Sequence, residues 1–225
     1  MLKKKPVIAL DGPVGAGKTT TARKVAEILG FKYVDTGAMY RAVTLDVLLH
    51  GIDPADEEGI GRIVSDTDVK LQISDKGQRT FLNGVDVTER IRERDVTRAV
   101  SAVSAVKSVR KKMTDLQRAI GKDGGIVMEG RDIGTVVFPA AEFKIYLDAS
   151  VDVRANRRFE ELRGKGLQIE IDELKKEIIE RDRANTERSL APLKKAPDAV
   201  VIDTENMTFD EQVDAVISLV RRGTE

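Results

Sequence analysis

The stretch Gly12-Pro13-Val14-Gly15-Ala16-Gly17-Lys18-Thr19 constrains this chain more than any other. It matches the phosphate-loop pattern Gly-x-x-x-x-Gly-Lys-Ser/Thr, with an apolar run before it and a helix-forming run after it. Glycines let backbone N–H groups approach a polyphosphate, and the helix that follows points its positive end at the anion. The pattern therefore predicts a nucleoside triphosphate site rather than a glycine-rich turn that carries a lysine by chance.

The residues of this predicted site have roles that follow from their chemistry. Lys18 can reach the β- and γ-phosphates and is predicted to be catalytic, while the Thr19 hydroxyl is predicted to bind the Mg²⁺ that accompanies ATP. The predicted ATP-binding residues are Gly12, Pro13, Val14, Gly15, Ala16, Gly17, Lys18, Thr19 and Thr20.

Composition limits the compartment and the partners. Lys plus Arg and Asp plus Glu each number 38 in 225 residues, so no overall basic field attracts nucleic acid. The chain has no cysteine, which excludes disulfides and thiolate zinc sites and suits a reducing compartment. The first apolar run stops at Asp11, too early for a signal peptide or a membrane span. We expect a cytoplasmic protein without nucleic-acid or membrane partners.

Strand and helix patterns alternate along most of the chain. Strands are predicted at Pro6–Leu10, Phe31–Val34, Gly125–Met128, Phe143–Leu147 and Ala199–Ile202, and helices at Thr20–Leu29, Ala38–Leu49 and Phe209–Val220. This order favours an α/β fold whose parallel sheet is covered by helices on both faces.

Two regions interrupt that order. Residues 64–100 contain alternating apolar positions and the turn signals Asp75-Lys76-Gly77 and Asn83-Gly84, which predict a small antiparallel insertion. Residues 154–188 are rich in arginine and are interrupted by Gly164-Lys165-Gly166, a predicted flexible segment.

A run of arginines is usually a solvated helix face. Here the spacing of Arg154, Arg157 and Arg158, and of Arg181, Asn185 and Arg188, places each group on one side of a helix. Phosphoryl transfer also needs cations over the reacting oxygens. We therefore predict functional roles for Arg157, Arg158, Arg181 and Arg188, with both interpretations left open for Arg154, Arg163 and Arg183.

Past the phosphate loop, the chain resembles the bacterial cytidylate kinases, nucleoside monophosphate kinases that act on CMP and dCMP. The stretches that carry the resemblance are Ile8-Ala9-Leu10-Asp11-Gly12-Pro13, Asp35-Thr36-Gly37-Ala38-Met39-Tyr40-Arg41, the run from Glu129 to Pro139, and Ala191-Pro192-Leu193. The resemblance covers essentially the whole chain.

The resemblance implies a three-layer P-loop kinase core with a parallel sheet, a small antiparallel monophosphate-binding insertion and a helical lid. The core would be roughly residues 1–63, 101–150 and 191–225, the insertion 64–100 and the lid 151–190. It further implies transfer of a phosphoryl group from ATP to CMP or dCMP, with Mg²⁺, by a monomer. Arg157 and Arg158 are then the catalytic lid arginines, beside Lys18.

The family's acceptor site also transfers residue by residue. The clamp on the α-phosphate is matched by Arg41, Arg131 and Arg188, and the residues that read cytosine are matched by Ser101, Arg110 and Asp132. The pair that binds the sugar is matched by Arg181 and Asn185, and Thr36 matches a further position at the monophosphate site. The chemistry is suitable, because a carboxylate accepts from the cytosine amine and a guanidinium donates to its acceptors. Without the resemblance, Arg110 would be interpreted as part of a solvated basic helix face.

The chain departs from the family at two positions. Asn185 stands where Asp is common and has no charge, and Glu129 stands where Asp is usual and reaches one methylene further. Glu129 is therefore not among the predicted site residues.

Three other interpretations remain. Asp35 could cap the following helix, or it could hold Mg²⁺ or orient an arginine. His50, the single histidine, is predicted to cap a helix end at the surface. The alternative functions are a kinase for another acceptor, such as UMP, AMP or a small metabolite, and a nucleotide-dependent switch. Switches of the small GTPase type use Asn-Lys-x-Asp to read guanine, and this chain has no Asn-Lys pair.

Overall fold

The computed structural model of the protein describes residues 5–74, 77–164, 166 and 169–223. Its main sheet is parallel, with strands in the order β2-β6-β1-β7-β8. These strands are β1 (Val7–Asp11), β2 (Lys32–Asp35), β6 (Ile126–Gly130), β7 (Phe143–Asp148) and β8 (Val200–Asp203). The predicted α/β class and parallel sheet are confirmed.

Helices cover both faces of this sheet because successive residues of each strand point to opposite sides. Ile8 and Leu10 of β1 pack with α1 (Lys18–Leu29) and α8 (Phe209–Arg222) on one face. Val7 and Ala9 lie in a separate buried cluster on the other face. The remaining helices of the core are α2 (Thr36–Leu49), α3 (Glu57–Val64) and α5 (Lys107–Gly121).

The predicted element ends are displaced by one or two residues for local reasons. Helix α2 begins at Thr36 rather than Ala38, because the Asp35 carboxylate accepts from the Ala38 N–H at 3.1 Å and caps the first turn. Strand β6 begins at Ile126, since Gly125 has a φ of +63° and cannot be extended. At the other end of α2, His50 is the C-cap, and its Nδ1 lies 2.8 Å from the Asp46 carbonyl oxygen.

The predicted antiparallel insertion is a three-stranded sheet within the described residues. Strands β3 (Val69–Ser74), β4 (Gly77–Leu82) and β5 (Val85–Asp86) lie in that order. The second turn signal is confirmed, because Asn83 and Gly84 have φ values of +49° and +83° between β4 and β5. Asp75 and Lys76 of the first turn signal lie outside the described residues. A short 3₁₀ turn, Arg90–Arg92, leads into α4 (Arg94–Val103), which crosses the predicted boundary at residue 100.

The arginine-rich region is helical. Helix α6 (Val151–Gly164) follows β7 directly and packs against α7 (Ile171–Glu187). Of the predicted glycine interruption, Gly164 ends α6, Gly166 has a φ of +75°, and Lys165 lies outside the described residues. In the part of the chain that the structure describes, no helix is both long and apolar enough to cross a bilayer.

Candidate active site

The phosphate loop connects β1, in the middle of the sheet, to α1. Gly12 has a φ of +149°, and a Cβ there would lie 2.1 Å from the backbone oxygen of Leu147 on the neighbouring strand β7. Gly17 has a φ of +88° at the N-terminus of α1. Both positions therefore require glycine. The loop lies at the carboxyl ends of the parallel strands, where α/β sheets bind their ligands.

Lys18 lies beneath this loop. Its side chain is buried, and Nζ donates to the Pro13 carbonyl oxygen at 2.5 Å. Burial lowers the pKa of Lys18 well below its ordinary value, and repulsion from Arg131 lowers it further. An anion bound in the loop would offset both effects. The position suits a residue that contacts the triphosphate.

Glu129, at the end of β6, is a candidate that sequence reasoning left out. Its carboxylate is buried and accepts from the Thr19 hydroxyl, at 3.0 Å, and from the Tyr33 hydroxyl. Burial raises the pKa of Glu129, and repulsion from Asp35 adds to the effect. Its place in the Glu-Gly-Arg-Asp motif, directly before Arg131, was the available sequence signal.

The oxygens of Thr19 and Glu129 fit Mg²⁺. This ion prefers oxygen ligands and is usually bound by one or two carboxylates together with substrate phosphates. Within residues 5–74, 77–164, 166 and 169–223, no three or more His, Cys, Asp or Glu side chains form a metal site by themselves. A hydroxyl and a buried carboxylate beside a phosphate loop match the ligands that Mg²⁺ uses with a nucleotide.

The loop opens into a cavity of about 730 Å³. The predicted site residues that line it are Val14, Gly15, Gly17, Lys18, Thr19, Thr20, Thr36, Arg41, Ser101, Arg110, Arg131, Asp132, Arg157, Arg158, Arg181, Asn185 and Arg188. Gly12, Pro13 and Ala16 were predicted to bind ATP as well, but they are buried and do not line the cavity. The fold thus brings the predicted donor and acceptor residues to one space.

In the wall of the cavity, Arg110 and Asp132 form a buried ion pair. The Arg110 guanidinium also donates to the Ser104 carbonyl oxygen at 3.1 Å and stacks 5.3 Å from the ring centre of Tyr40. Arg188 lies 3.6 Å from the other carboxylate oxygen of Asp132. These side chains are fixed in place before any ligand binds.

The backbone that follows Asp132 is held in place by Asp11. The N–H groups of Ile133 and Gly134 donate to the two carboxylate oxygens of Asp11, at 2.9 and 2.8 Å. Asp11 is buried at the end of β1, directly before the phosphate loop, and burial raises its pKa to about 6. One carboxylate thus connects the loop to the segment that carries Asp132.

Several partly buried arginines make the cavity wall strongly positive. Burial lowers the pKa of Arg41 to about 9 and the pKa values of Arg181 and Arg188 to about 10, and repulsion among the arginines contributes in each case. Positive charges buried this close together are stabilised by an anion. The predicted phosphate clamp has the required charge.

Arg92, from the insertion, also lines this part of the cavity and was missed. It pairs with Asp35 at 2.6 Å, so Asp35 both caps α2 and orients an arginine, two of the alternatives that the sequence left open. The Gln78 side chain bonds to the backbone N–H and carbonyl of Asp35 as well, at 2.9 and 3.2 Å. The insertion is therefore fastened to the core at the cavity rim.

The arginines of α6 differ from one another. Arg157 donates to the side chain and the backbone of Thr204, at 3.0 and 2.5 Å, and Arg158 pairs with Glu161 at 2.6 Å, while both line the cavity. Arg154 is buried instead. It donates to the Val14 carbonyl oxygen at 3.0 Å and pairs with Asp182 of α7 at 2.6 Å, which connects the phosphate loop to helices α6 and α7.

The remaining arginines left open by the sequence lie on solvated faces. Arg163 is 3.7 Å from Glu160 and Arg183 is 3.0 Å from Glu187, and both are exposed. Met207, Phe209 and Gln212 also line the cavity, and no sequence pattern had indicated them.

Comparison with known proteins agrees with this geometry. Residues 8–222 match the family model described as cytidylate kinase. The chain is 48% identical over 224 residues to the cytidylate kinase of Anoxybacillus flavithermus, with 100% of both chains covered. It is 49% identical over 219 residues to the cytidylate kinase of Pelotomaculum thermopropionicum, with 97% of each covered.

Solved structures of distant sequence share the fold. A gluconokinase from Sinorhizobium meliloti is 12% identical with a TM-score of 0.51, covering 98% of this chain and 94% of its own. An uncharacterized protein from Eubacterium ventriosum is 11% identical with a TM-score of 0.54, covering 96% of this chain and 99% of its own. The matched family and the full-length relatives lead to one conclusion: the chain belongs to the cytidylate kinase family.

Proposed function

We propose that this cavity transfers the γ-phosphoryl group of ATP to CMP or dCMP, which is the reaction of the family, and that the residues described above carry it out. ATP binds with its phosphates in the loop over Lys18, and Arg157 and Arg158 cover the reacting oxygens. Thr19 and Glu129 would hold the Mg²⁺ that accompanies the nucleotide, and the ion would supply charge neutralisation at the phosphates.

The observation that carries the choice of acceptor is the buried pair of Arg110 and Asp132 in the cavity wall. Asp132 accepts from the N4 amine of cytosine, and Arg110 donates to the ring acceptors. Uracil offers a carbonyl and an N–H at these places, so both contacts become unfavourable. Unpaired buried polar groups discriminate strongly between substrates.

The remaining acceptor residues hold the rest of the nucleotide. Arg41, Arg131 and Arg188 bind the 5′-phosphate near Thr36, Ser101 contributes to the base pocket, and Arg181 and Asn185 bind the sugar. An oxygen of the acceptor phosphate attacks the γ-phosphorus while the bond to the β–γ bridging oxygen breaks. The attacking oxygen is already an anion, so the site needs position and positive charge rather than a strong base.

The domain roles follow from the same proposal. Residues 64–100 form the monophosphate-binding insertion and 151–190 the lid, on a core of roughly 1–63, 101–150 and 191–225. We further propose that the chain acts as a monomer in the cytoplasm, with nucleotides as its partners.

The test of the acceptor is a panel of CMP, dCMP, UMP and AMP with Mg·ATP, read as ADP formation. We expect kcat/KM for CMP and dCMP to exceed that for UMP by about a hundredfold or more. Asp132→Asn narrows this gap mainly by weakening CMP use, because an amide can rotate to meet the uracil carbonyl. Asp115→Asn, on the exposed face of α5, is the control. Equal rates with CMP and UMP in the native protein would rule out the base-reading scheme.

The test of the donor site is Lys18→Ala. Lys18 stabilises charge that moves onto the bridging and γ-oxygens, so its loss lowers kcat by about a hundredfold or more. Lys24→Ala removes an exposed lysine of the same helix and leaves kcat unchanged. Near-normal turnover by folded Lys18→Ala protein would show that the triphosphate binds elsewhere.

A further inference from the structure

The hydroxyl of Tyr33 contacts Glu129, a proposed Mg²⁺ ligand, rather than the apolar core. Tyr33 is on β2 and is buried in the core cluster on the α1 side of the sheet. Strand β2 pairs with β6 so that Tyr33 is opposite Val127, two residues before Glu129 on the same face. An aromatic side chain can span this diagonal, and the hydroxyl donates to Glu129 Oε1.

Because of this contact, the two oxygens of the Glu129 carboxylate have different partners. Oε1 accepts from Tyr33, and Oε2 accepts from the Thr19 hydroxyl at 3.0 Å. A glutamate has one more rotatable bond than an aspartate, so an unrestrained side chain would lose more freedom when it binds a metal. The Tyr33 hydroxyl supplies the restraint, and Arg23 lies 5.5 Å from its ring centre on the other side.

We propose that Tyr33 is a positioning residue for Mg·ATP, which holds Glu129 so that one carboxylate oxygen faces Thr19. The inference rests on the proposed function only in taking Mg·ATP as the donor. The residue acts through Glu129 and touches neither substrate. Partners that orient a metal ligand in this way typically change metal affinity by about 10- to 100-fold when they are removed.

The experiment is calorimetric and needs neither CMP nor turnover. The dissociation constant of ATP is measured with excess Mg²⁺ and with EDTA. The value in EDTA divided by the value in Mg²⁺ gives the contribution of the metal to binding. We expect Tyr33→Phe to reduce this ratio by about tenfold while ATP binding in EDTA stays the same. Tyr146→Phe removes the same hydroxyl from β7, two strands away from β6 in the sheet order, and leaves the ratio unchanged.

The dependence on Glu129 separates positioning from simple packing. Glu129→Gln reduces the metal contribution by removing the charge, and adding Tyr33→Phe to Glu129→Gln reduces it no further. A double variant that loses another tenfold, or a Tyr33→Phe protein with the native ratio, would overturn the inference. Melting curves establish that each variant is folded.

A measurement on protein with native Tyr33 covers the case in which Tyr33→Phe does not fold. The chain has three tyrosines, so Tyr40→Phe and Tyr146→Phe assign the ¹³Cζ resonance of Tyr33 in tyrosine-labelled protein by elimination. We expect this resonance to shift with Mg·ATP and to stay in place with ATP in EDTA. A resonance that responds equally to both contradicts the inference. If the chain binds Mg·ATP in this way yet fails to phosphorylate CMP, the acceptor assignment is wrong and the role of Tyr33 stands.

Discussion

The proposed base pocket and the proposed lid both contain arginines, but in different surroundings. Arg110 is buried and already paired with Asp132. Arg158 of the lid is about 39% exposed, and its partner Glu161, 46% exposed, is one turn away on the same helix. The pocket is therefore built before substrate arrives, whereas the lid arginine has a partner that it can leave at little cost.

The difference separates stability from activity. Breaking a buried ion pair is costly because one charge remains buried without a partner, whereas an exposed pair contributes little. Residues that read the base should therefore matter for folding as well as for binding. Arg158, which we propose covers the reacting phosphates and has only an exposed partner, should matter for turnover alone.

The largest expected effect is on turnover, in the lid. Arg158→Met removes a cation over the transferred group, and we expect kcat to fall about a hundredfold while the melting temperature and the KM for CMP stay unchanged. Arg163→Met changes an exposed arginine of the same helix and leaves kcat at the native value. If Arg158→Met lost stability together with activity, the contrast between lid and pocket would not hold.

The next effect is on stability, in the pocket. Arg110→Met should lower the free energy of unfolding by about 2 kcal/mol, which is less than the ~3–5 kcal/mol typical of a broken buried pair. We expect a smaller loss than is typical because Arg188 remains 3.6 Å from Asp132 and still offsets its charge. Denaturant unfolding of Lys111→Met, whose exposed pair with Asp115 is on the same helix, should give the native value. Equal stability of the Arg110→Met and Lys111→Met proteins would contradict the prediction.

The smallest effect is expected at Asn185, a residue of α7 that lines the cavity. Its amide donates to the Arg181 carbonyl oxygen at 2.6 Å, and the buried Nε of Arg181 has no hydrogen-bond partner among the residues that the structure describes. Asn185→Asp adds a negative charge to the cavity wall that Arg181 also lines, and a carboxylate would strengthen the proposed bonds to the sugar hydroxyls. We expect KM for CMP to fall about fivefold, near 1 kcal/mol, with a smaller change for dCMP if the 2′-hydroxyl is contacted. Steady-state kinetics at saturating ATP measure both, and unchanged values would remove residue 185 from the sugar site.

Local patterns predicted the sheet, the phosphate loop and the hairpin at Asn83-Gly84, because each depends on neighbours in sequence. Contacts between distant segments were not predictable in the same way. Arg92 reaches Asp35 only because the insertion folds back on the core, and Glu129 meets Thr19 only because β6 is adjacent to β1. The roles of the site residues remain predictions, since their positions around the cavity are compatible with those roles but do not test them.

The hydrogen bonds of Asp11 bear on which step of the reaction would be lost when the proposed lid is damaged. Asp11 joins the end of β1 to the backbone after Asp132, so the separation of the phosphate loop from the base-reading carboxylate is set by the rigid sheet. The two hydrogen bonds of Asp11 that set this separation involve no residue of the proposed lid. Damage to the lid would instead admit water as a competing acceptor. Such variants should divide ATP between nucleotide transfer and hydrolysis, and the fraction hydrolysed would report how often the lid is open.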